Sequence, residues 1–361
     1  MYFSLGVKTR KEDFYNMEAE LRCLLEELLN PLTRMIVIKG VRRVGKSSLL
    51  RVALSESGLP HLLLDLRAVG PPCSETFYDA FSRNLSALVE KAQSLRSVLS
   101  KISGLEVVGF RVELTKREIS TISELLKVLD DWSSRRGRPL ILAFDEAQDL
   151  RFVRGADKLL AHIYDYLQNI KLVLAGSEVG ILDRLLGHEA PQSPLFGRAY
   201  AEIPIDRLPP RKAKEFLIKG FEQVSVQIEE SEVDEAVKLL DGIIGWLTYY
   251  GYYRTRESHE KALEKTLEEG SAIVAEELKN ILAARQQAKR RYIQILKILE
   301  RPSRWSEIKR HLNLSLGIRI SDKQLTNYIK ELKSYGFIVK TDGKYAIADP
   351  LTLEAINRHL L

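Results

Sequence analysis

The sequence predicts an α/β core, a parallel sheet with helices on both faces, followed by an all-α segment and a small basic module of helices and a hairpin. Three observations carry this. The short apolar runs "RMIVIK", "HLLLDLR", "PLILAFD" and "IKLVLAGS" alternate with helix-periodic stretches, as expected for strands buried on both faces. No strand-like run separates the helical patterns after "AEIPIDRLPP". Residues 286–361 carry 15 Lys/Arg against 7 Asp/Glu, a balance of +8, while the rest of the chain sums to −2.

Taken in order, residues 17–29 read as an amphipathic helix and 34–39 as a buried strand. A Gly-rich turn leads into a helix over 46–55. A second strand follows at 61–67, then helical patterns over 74–101. "LEVVGFRVEL" (105–114) reads as an inserted hairpin with Gly109 near its turn. Residues 120–133 form a helix, and 139–145 and 170–177 the third and fourth core strands. Segments 211–223, 231–241 and 257–284 are helical in period. From about 287, "SRWSEIKRHLN" and "SDKQLTNYIKELKSYG" supply the second and third helices of a winged helix, and "FIVKTDGKYAIAD" its wing. The expected domains are 1–205 (core), 206–285 (helical lid) and 286–361 (winged helix).

Composition narrows the function classes. The 361 residues are 45% hydrophobic, ordinary for a globular chain. No apolar run approaches the roughly 18–20 residues that span a membrane, and the N-terminus lacks the apolar core of a secretory signal. Cys23 and Cys73 are far apart, which argues against a disulfide framework or a cysteine-rich zinc site and for a reducing cytoplasm. His61, His162 and His188 show no metal-ligand spacing and read as structural.

"KGVRRVGKSSLL" contains G-x-x-x-x-G-K-S between a strand and a helix, the context of a P-loop. The expected nucleotide cradle is Gly40, Val41, Arg42, Arg43, Val44, Gly45, Lys46, Ser47 and Ser48. Its glycines let backbone N–H groups face a phosphate, and the helix adds its positive end. Lys46 would reach the β- and γ-phosphates of ATP, and Ser47 would offer its hydroxyl to Mg²⁺. The fold class is thus an α/β P-loop NTPase core with an all-α lid and a winged helix. "ILAFDEAQDL" ends a core strand in two adjacent acids. Asp145 can hold Mg²⁺, and Glu146 can orient or deprotonate the attacking water. An N-cap at Asp145 is the plain alternative. Ser177 in "LAGSEVG" is either a γ-phosphate sensor or an ordinary N-cap. Arg198 in "SPLFGRAY" is either an arginine finger or a surface charge.

Together, "GVRRVGKSS", "LILAFDEAQ", "KLVLAGSEVG", "SPLFGRAY" and "DGIIGWL" resemble the archaeal P-loop ATPase family, of the STAND class related to AAA+ proteins. The resemblance spans nearly the whole chain. It implies a nucleotide-sensing core, a lid and a winged helix, with Lys46, Ser47, Asp145 and Glu146 in the roles above, Ser177 at a sensor position and Arg198 in the family's GR motif. It also implies that Phe14 and Tyr15 flank the adenine. Two positions depart from the pattern: Ile244 stands where the family's "GIPGWL" has proline, and Met17 where an arginine is expected.

Three functions compete. One is a nucleotide switch in which ATP binding and slow hydrolysis reposition lid and winged helix. Another is a DNA-acting AAA+ initiator or helicase loader. The third is a winged-helix regulator with little turnover. Lys323, Gln324, Asn327, Tyr328 and Lys330 lie on the recognition helix, and Lys340 and Lys344 flank the wing. They suit duplex DNA, while protein docking and homo-oligomerisation stay open.

Overall fold

The computed structural model describes residues 1–67, 74–187, 192–283 and 285–360. Cys73 and His188 lie outside them. The chain divides into two compact units, one of residues 8–40 and 46–205, the other of 1–7, 41–45 and 206–361.

The first unit is built on a five-stranded sheet. The chain's strands are β1 (Met35–Lys39), β2 (His61–Asp65), β3 (Leu105–Val108), β4 (Arg111–Leu114), β5 (Leu140–Asp145), β6 (Ile170–Gly176), β7 (Ala201–Pro204), β8 (Ile338–Thr341) and β9 (Lys344–Ile347). The sheet runs β2-β5-β6-β1-β7, every pairing parallel. Every residue of β1, β5 and β6 is buried, which is why they read as largely apolar runs, with Lys39, Asp145 and Lys171 the buried charges among them. β2 is an edge strand and alternates in burial. β7, at the other edge, is absent from the sequence expectations. Of its four residues only Ile203 is buried, and it ends in Pro204, a residue that sheets admit at edges. β3 and β4 pair separately as an antiparallel hairpin. Helices Lys46–Ser57 and Ile119–Arg136 extend the periodic segments, the expected 74–101 stretch breaks into Ser74–Lys91, a 3-10 turn at Gln93–Leu95 and the short helix Arg96–Leu99, and Ala156–Tyr166 and Val179–Leu185 were not expected.

The second unit is helical around a core of Phe216, Phe221, Trp246 and Tyr250, each under 2% exposed. Its first helices are Pro210–Gln223, Glu230–Leu240, Ile244–Arg254 and His259–Ala283. Phe3 inserts among them so tightly that a Cβ on Gly220 or Gly251 would lie 2.2 Å from its ring. Ile244 is the first residue of its helix. Proline suits that position because the first N–H has no partner within the helix, so isoleucine there forfeits no hydrogen bond.

Lys289–Ile298, Trp305–Leu316 and Asp322–Ser334 form the winged-helix trio, and β8 and β9 its wing. A reciprocal Ser321–Gln324 capping box starts the third helix. Asp342 and Gly343 turn the wing with positive φ, as two-residue hairpins require. A last helix, Leu351–His359, was not expected. It packs on His259–Ala283 through Leu351 against Gly270, Arg358 to Glu264 (2.7 Å) and His359 to Ser271 (3.0 Å).

Candidate active site

Strand register assembles the acids. Asp65 is level with Asp145, Asp145 with Ala175, and Gly176 with Lys39. The residues that follow each strand therefore emerge at one edge of the sheet, the edge where α/β proteins bind ligands. β6 lies between the P-loop strand and the acid strand, which puts Ser177 between them. Lys46 and Ser47 open the helix after the P-loop turn.

Asp145 is 2% exposed and Glu146 7%. Glu146 has a left-handed backbone, φ 53°, a conformation that costs a non-glycine residue about 1–2 kcal/mol and is concentrated at functional sites. Its carboxylate accepts from Ser177 Oγ (2.6 Å) and Gln148 Nε2 (2.5 Å), and Arg67 Nη1 lies 3.2 Å away. Its amide donates to Asp145 Oδ1 at 3.1 Å. Arg67 Nη2 donates to Ser47 Oγ at 3.3 Å and is 3.5 Å from Asp145 Oδ2. One guanidinium thus touches the hydroxyl and both carboxylates.

The two neighbouring acids are driven apart electrostatically. Burial pushes Glu146 up, but the positive charges of Lys46 and Arg67 and the Ser177 and Gln148 hydrogen bonds outweigh it and hold its pKa at about 2. Burial dominates at Asp145, whose carboxyl stays above its ordinary range despite Ser47 and Arg67. Acid pairs with separated affinities for protons are the mark of divided roles.

These residues fit a Mg²⁺ ion. Ser47 and Asp145 already share a cation through Arg67. Gln148 Oε1 is buried with no hydrogen-bond partner, which marks the pocket as short of a polar group. Among the described residues no three His, Cys, Asp or Glu side chains form a metal cage. Mg²⁺ in nucleotide sites needs none, because it keeps waters and phosphate oxygens alongside one or two protein ligands.

The P-loop turn itself, residues 41–45, belongs to the second unit. Arg43 has φ 64°. Its guanidinium lies 2.5 Å from Glu277, 3.2 Å from Asp349 and 4.4 Å from the Trp246 ring centroid. Arg42 donates to the Tyr335 carbonyl at 2.5 Å and lies 3.4 Å from Glu277. Gly245 N donates to Arg43 O at 3.0 Å, and a Cβ on Gly245 would meet Arg43 Cβ at 2.8 Å. The glycine of "GWL" is therefore a close-approach residue against the turn.

The remaining predicted residues scatter. Ser48 Oγ accepts from Lys8 N at 3.0 Å, tying the N-terminal segment to the P-loop helix. Tyr15 is 5% exposed, Phe14 is half-buried, and Met17 caps helix Glu18–Leu29 from a buried position. Arg198 is not brought to the acids. It pairs with Asp165 (Nε 3.0 Å) and donates to the Pro194 carbonyl. Arg198 precedes β7 and Asp165 precedes β6, so both lie beyond the N-terminal ends of the strands. The seven residues of β6 put about 20 Å of sheet between that edge and the acids.

Sequence reasoning missed Arg67, Gln148, Glu277 and Asp349. Only Arg67 left a trace: "DLR" places charges just past a buried strand. In the winged helix, Lys323, Asn327, Lys330, Lys340 and Lys344 are exposed. Gln324 Oε1 is engaged by its capping box, and Tyr328 turns inward, its hydroxyl accepting from Arg291 at 2.8 Å.

A family model described as an ATPase domain predominantly from Archaea matches residues 14–249. The chain belongs to this archaeal ATPase family. A second model, the C-terminal winged helix-turn-helix domain of MCM proteins, matches residues 286–348 of this archaeal ATPase. Among solved structures, the Walker-type ATPase of Pyrococcus abyssi is 35% identical, with a TM-score of 0.82 over 99% of this chain and all of the other. The ORC2 protein of Aeropyrum pernix, solved in ADPNP–ADP complexes, is 14% identical with a TM-score of 0.58 over 98% of both chains. That second likeness is one of fold. No curated protein matches. Among the described residues no helix is long and apolar enough to cross a membrane.

Proposed function

We propose that this archaeal ATPase is a nucleotide-driven switch whose P-loop reports phosphate occupancy to its lid and winged helix. The observation that carries the reading is the grip on the P-loop turn: Arg43 on Glu277 and Asp349, and Arg42 on the Tyr335 carbonyl. Glu277 belongs to the lid's long helix, Tyr335 closes the recognition helix, and Asp349 follows the wing. A phosphate entering the turn competes with these carboxylates for the same guanidiniums. Nucleotide and winged-helix position are then linked by one coupling energy. The working domains are 1–205, 206–285 and 286–361.

In this reading Gly40 to Ser48 cradle the phosphates and Lys46 contacts the β- and γ-phosphates. Ser47 and Asp145 would hold Mg²⁺, which neutralises charge on the phosphates when bound. Glu146 positions the attacking water and accepts its proton once freed from Arg67, Ser177 and Gln148. A carboxylate held at about pKa 2 is poorly matched to proton abstraction at neutral pH, so this arrangement is a resting one with slow turnover. Phe14 and Tyr15, on the segment tied to Ser48, flank the base. Arg198 serves a second copy's site.

A DNA-acting function is the second reading, favoured by the exposed Lys323, Asn327, Lys330, Lys340 and Lys344 and the basic balance of the module. ATPase rates with and without duplex DNA, over a range of protein concentrations, separate the two. A rate lost in Lys46→Ala and indifferent to DNA supports the switch, and strong DNA stimulation supports the second reading. A Lys46→Ala protein with unchanged ATP affinity would overturn both.

A further inference from the structure

On the first unit, away from the acids, a cavity of about 660 Å³ opens beside edge strand β2. Arg51, His61, Lys91, Trp132, Arg136 and Arg138 line it, and no Asp or Glu does. Among the described residues Lys91, Arg136 and Arg138 have no salt-bridge partner. Arg136 stacks over the Trp132 ring, 4.7 Å from its centroid. Arg51 Nε is buried and has no hydrogen-bond partner, although the other end of that guanidinium is 3.3 Å from Asp65. Four cations around one concavity with no acid in its wall repel one another. The same arrangement concentrates positive potential in the cleft.

The volume is that of a small-molecule site. Guanidinium forks match phosphate oxygens two at a time, and a buried unpaired donor is a place for one more acceptor. We infer that this cavity binds a small polyanion of the polyphosphate class, distinct from the nucleotide at the P-loop. Its occupant would contend with Asp65 for Arg51, and Asp65 also lies 3.7 Å from the Arg67 guanidinium that holds the catalytic acids. The cavity thus abuts the charge chain Arg51–Asp65–Arg67.

The test uses the full chain carrying Lys46→Ala, which weakens phosphate binding at the P-loop and leaves the cavity intact. Tripolyphosphate is titrated without Mg²⁺, by calorimetry and by the fluorescence change that Trp132→Phe removes. Saturable binding is expected, weakened at least about tenfold in Arg136→Glu/Arg138→Glu, since each lost charge-assisted contact is a large term. Retention in Arg136→Lys/Arg138→Lys supports the assignment. Arg138→Gln, a milder change at an exposed position, is expected to weaken binding in the same direction, which guards against misfolding of the double variant. No saturable binding, or equal binding in Arg136→Glu/Arg138→Glu, would overturn it. Tighter binding of hexaglutamate than of tripolyphosphate would instead make this a dock for an acidic peptide and refute the small-anion assignment.

Discussion

Arg67 Nη1 stands 3.2 Å from Glu146 Oε1, on a side chain that remains half exposed. The pair joins a buried acid to a cation that solvent, or an incoming ligand, can draw away. Arg67 also reaches Ser47 and Asp145, so it occupies the position of positive charge between the groups proposed to hold Mg²⁺.

Arg67→Ala leaves two buried carboxylates short of a cation. Arg67 is half exposed and Lys46 stays near Glu146, so the loss is that of leaving a buried polar group short of a partner, about 1–3 kcal/mol. We expect the variant to lose stability of that order in chelator and to regain much of it in millimolar Mg²⁺, because a ligand that binds only the folded state stabilises it. Denaturant titrations in EDTA and in MgCl₂ measure this. Equal stability of the variant in both would mean that the acids hold no metal.

Glu146→Gln is expected to bind ATP as wild type does and to hydrolyse it at least about 10²-fold more slowly, the magnitude of a lost general base. Single-turnover hydrolysis isolates the chemical step. A normal rate would assign water activation to another residue.

Arg198→Ala tests action on a second copy. Arg198 is bonded to Asp165 at the far edge of the sheet, so an effect on hydrolysis must arise between molecules. Wild-type turnover per chain should rise with protein concentration. The variant should lose that rise and keep its nucleotide affinity. Concentration-independent turnover in the wild type would make the Asp165 pair a structural ion pair.

Asp149 gives a pH signature. Burial, with Glu178 and Glu146 nearby, pushes its carboxyl up to about 6 against the attraction of Arg151. The folded state therefore holds a proton that the unfolded chain releases near pH 4. This contribution to stability is complete below about pH 4 and is lost as pH rises through 6. Two pKa units correspond to at most about 3 kcal/mol, less after solvent screening. Asp149→Asn, permanently neutral, should show a flatter stability profile between pH 4 and 6. Parallel profiles for the two proteins would place the titration elsewhere.

Much of the site was legible because its chemistry is local. A P-loop is one turn between a strand and a helix, so Gly40 to Ser48 announce themselves within nine residues. Asp145 and Glu146 stand out because acids seldom follow four apolar residues. β7 was missed for the opposite reason: four residues of which only Ile203 is buried, ending in proline, are too few to carry a periodic signal. The helix Leu351–His359 is bounded by the end of a hairpin, and its role depends on docking against Gly270.

The sequence by itself determined that apolar strands alternate with helices, that glycines at P-loop spacing precede Lys46 and Ser47, and that positive charge gathers after residue 286. Each is a property of composition or short-range spacing, set by backbone conformation and burial. Tertiary structure decided which charges meet. Arg67 joins Asp145, 78 positions away, because β2 and β5 are neighbours in register. Arg43 finds Glu277 and Asp349 across 234 and 306 positions. Arg198, the residue singled out for the transferring phosphate, is carried to the opposite edge of the sheet. Ion pairs act over a few ångströms and ignore separation along the chain, so their partners exist only once the strands and helices have packed.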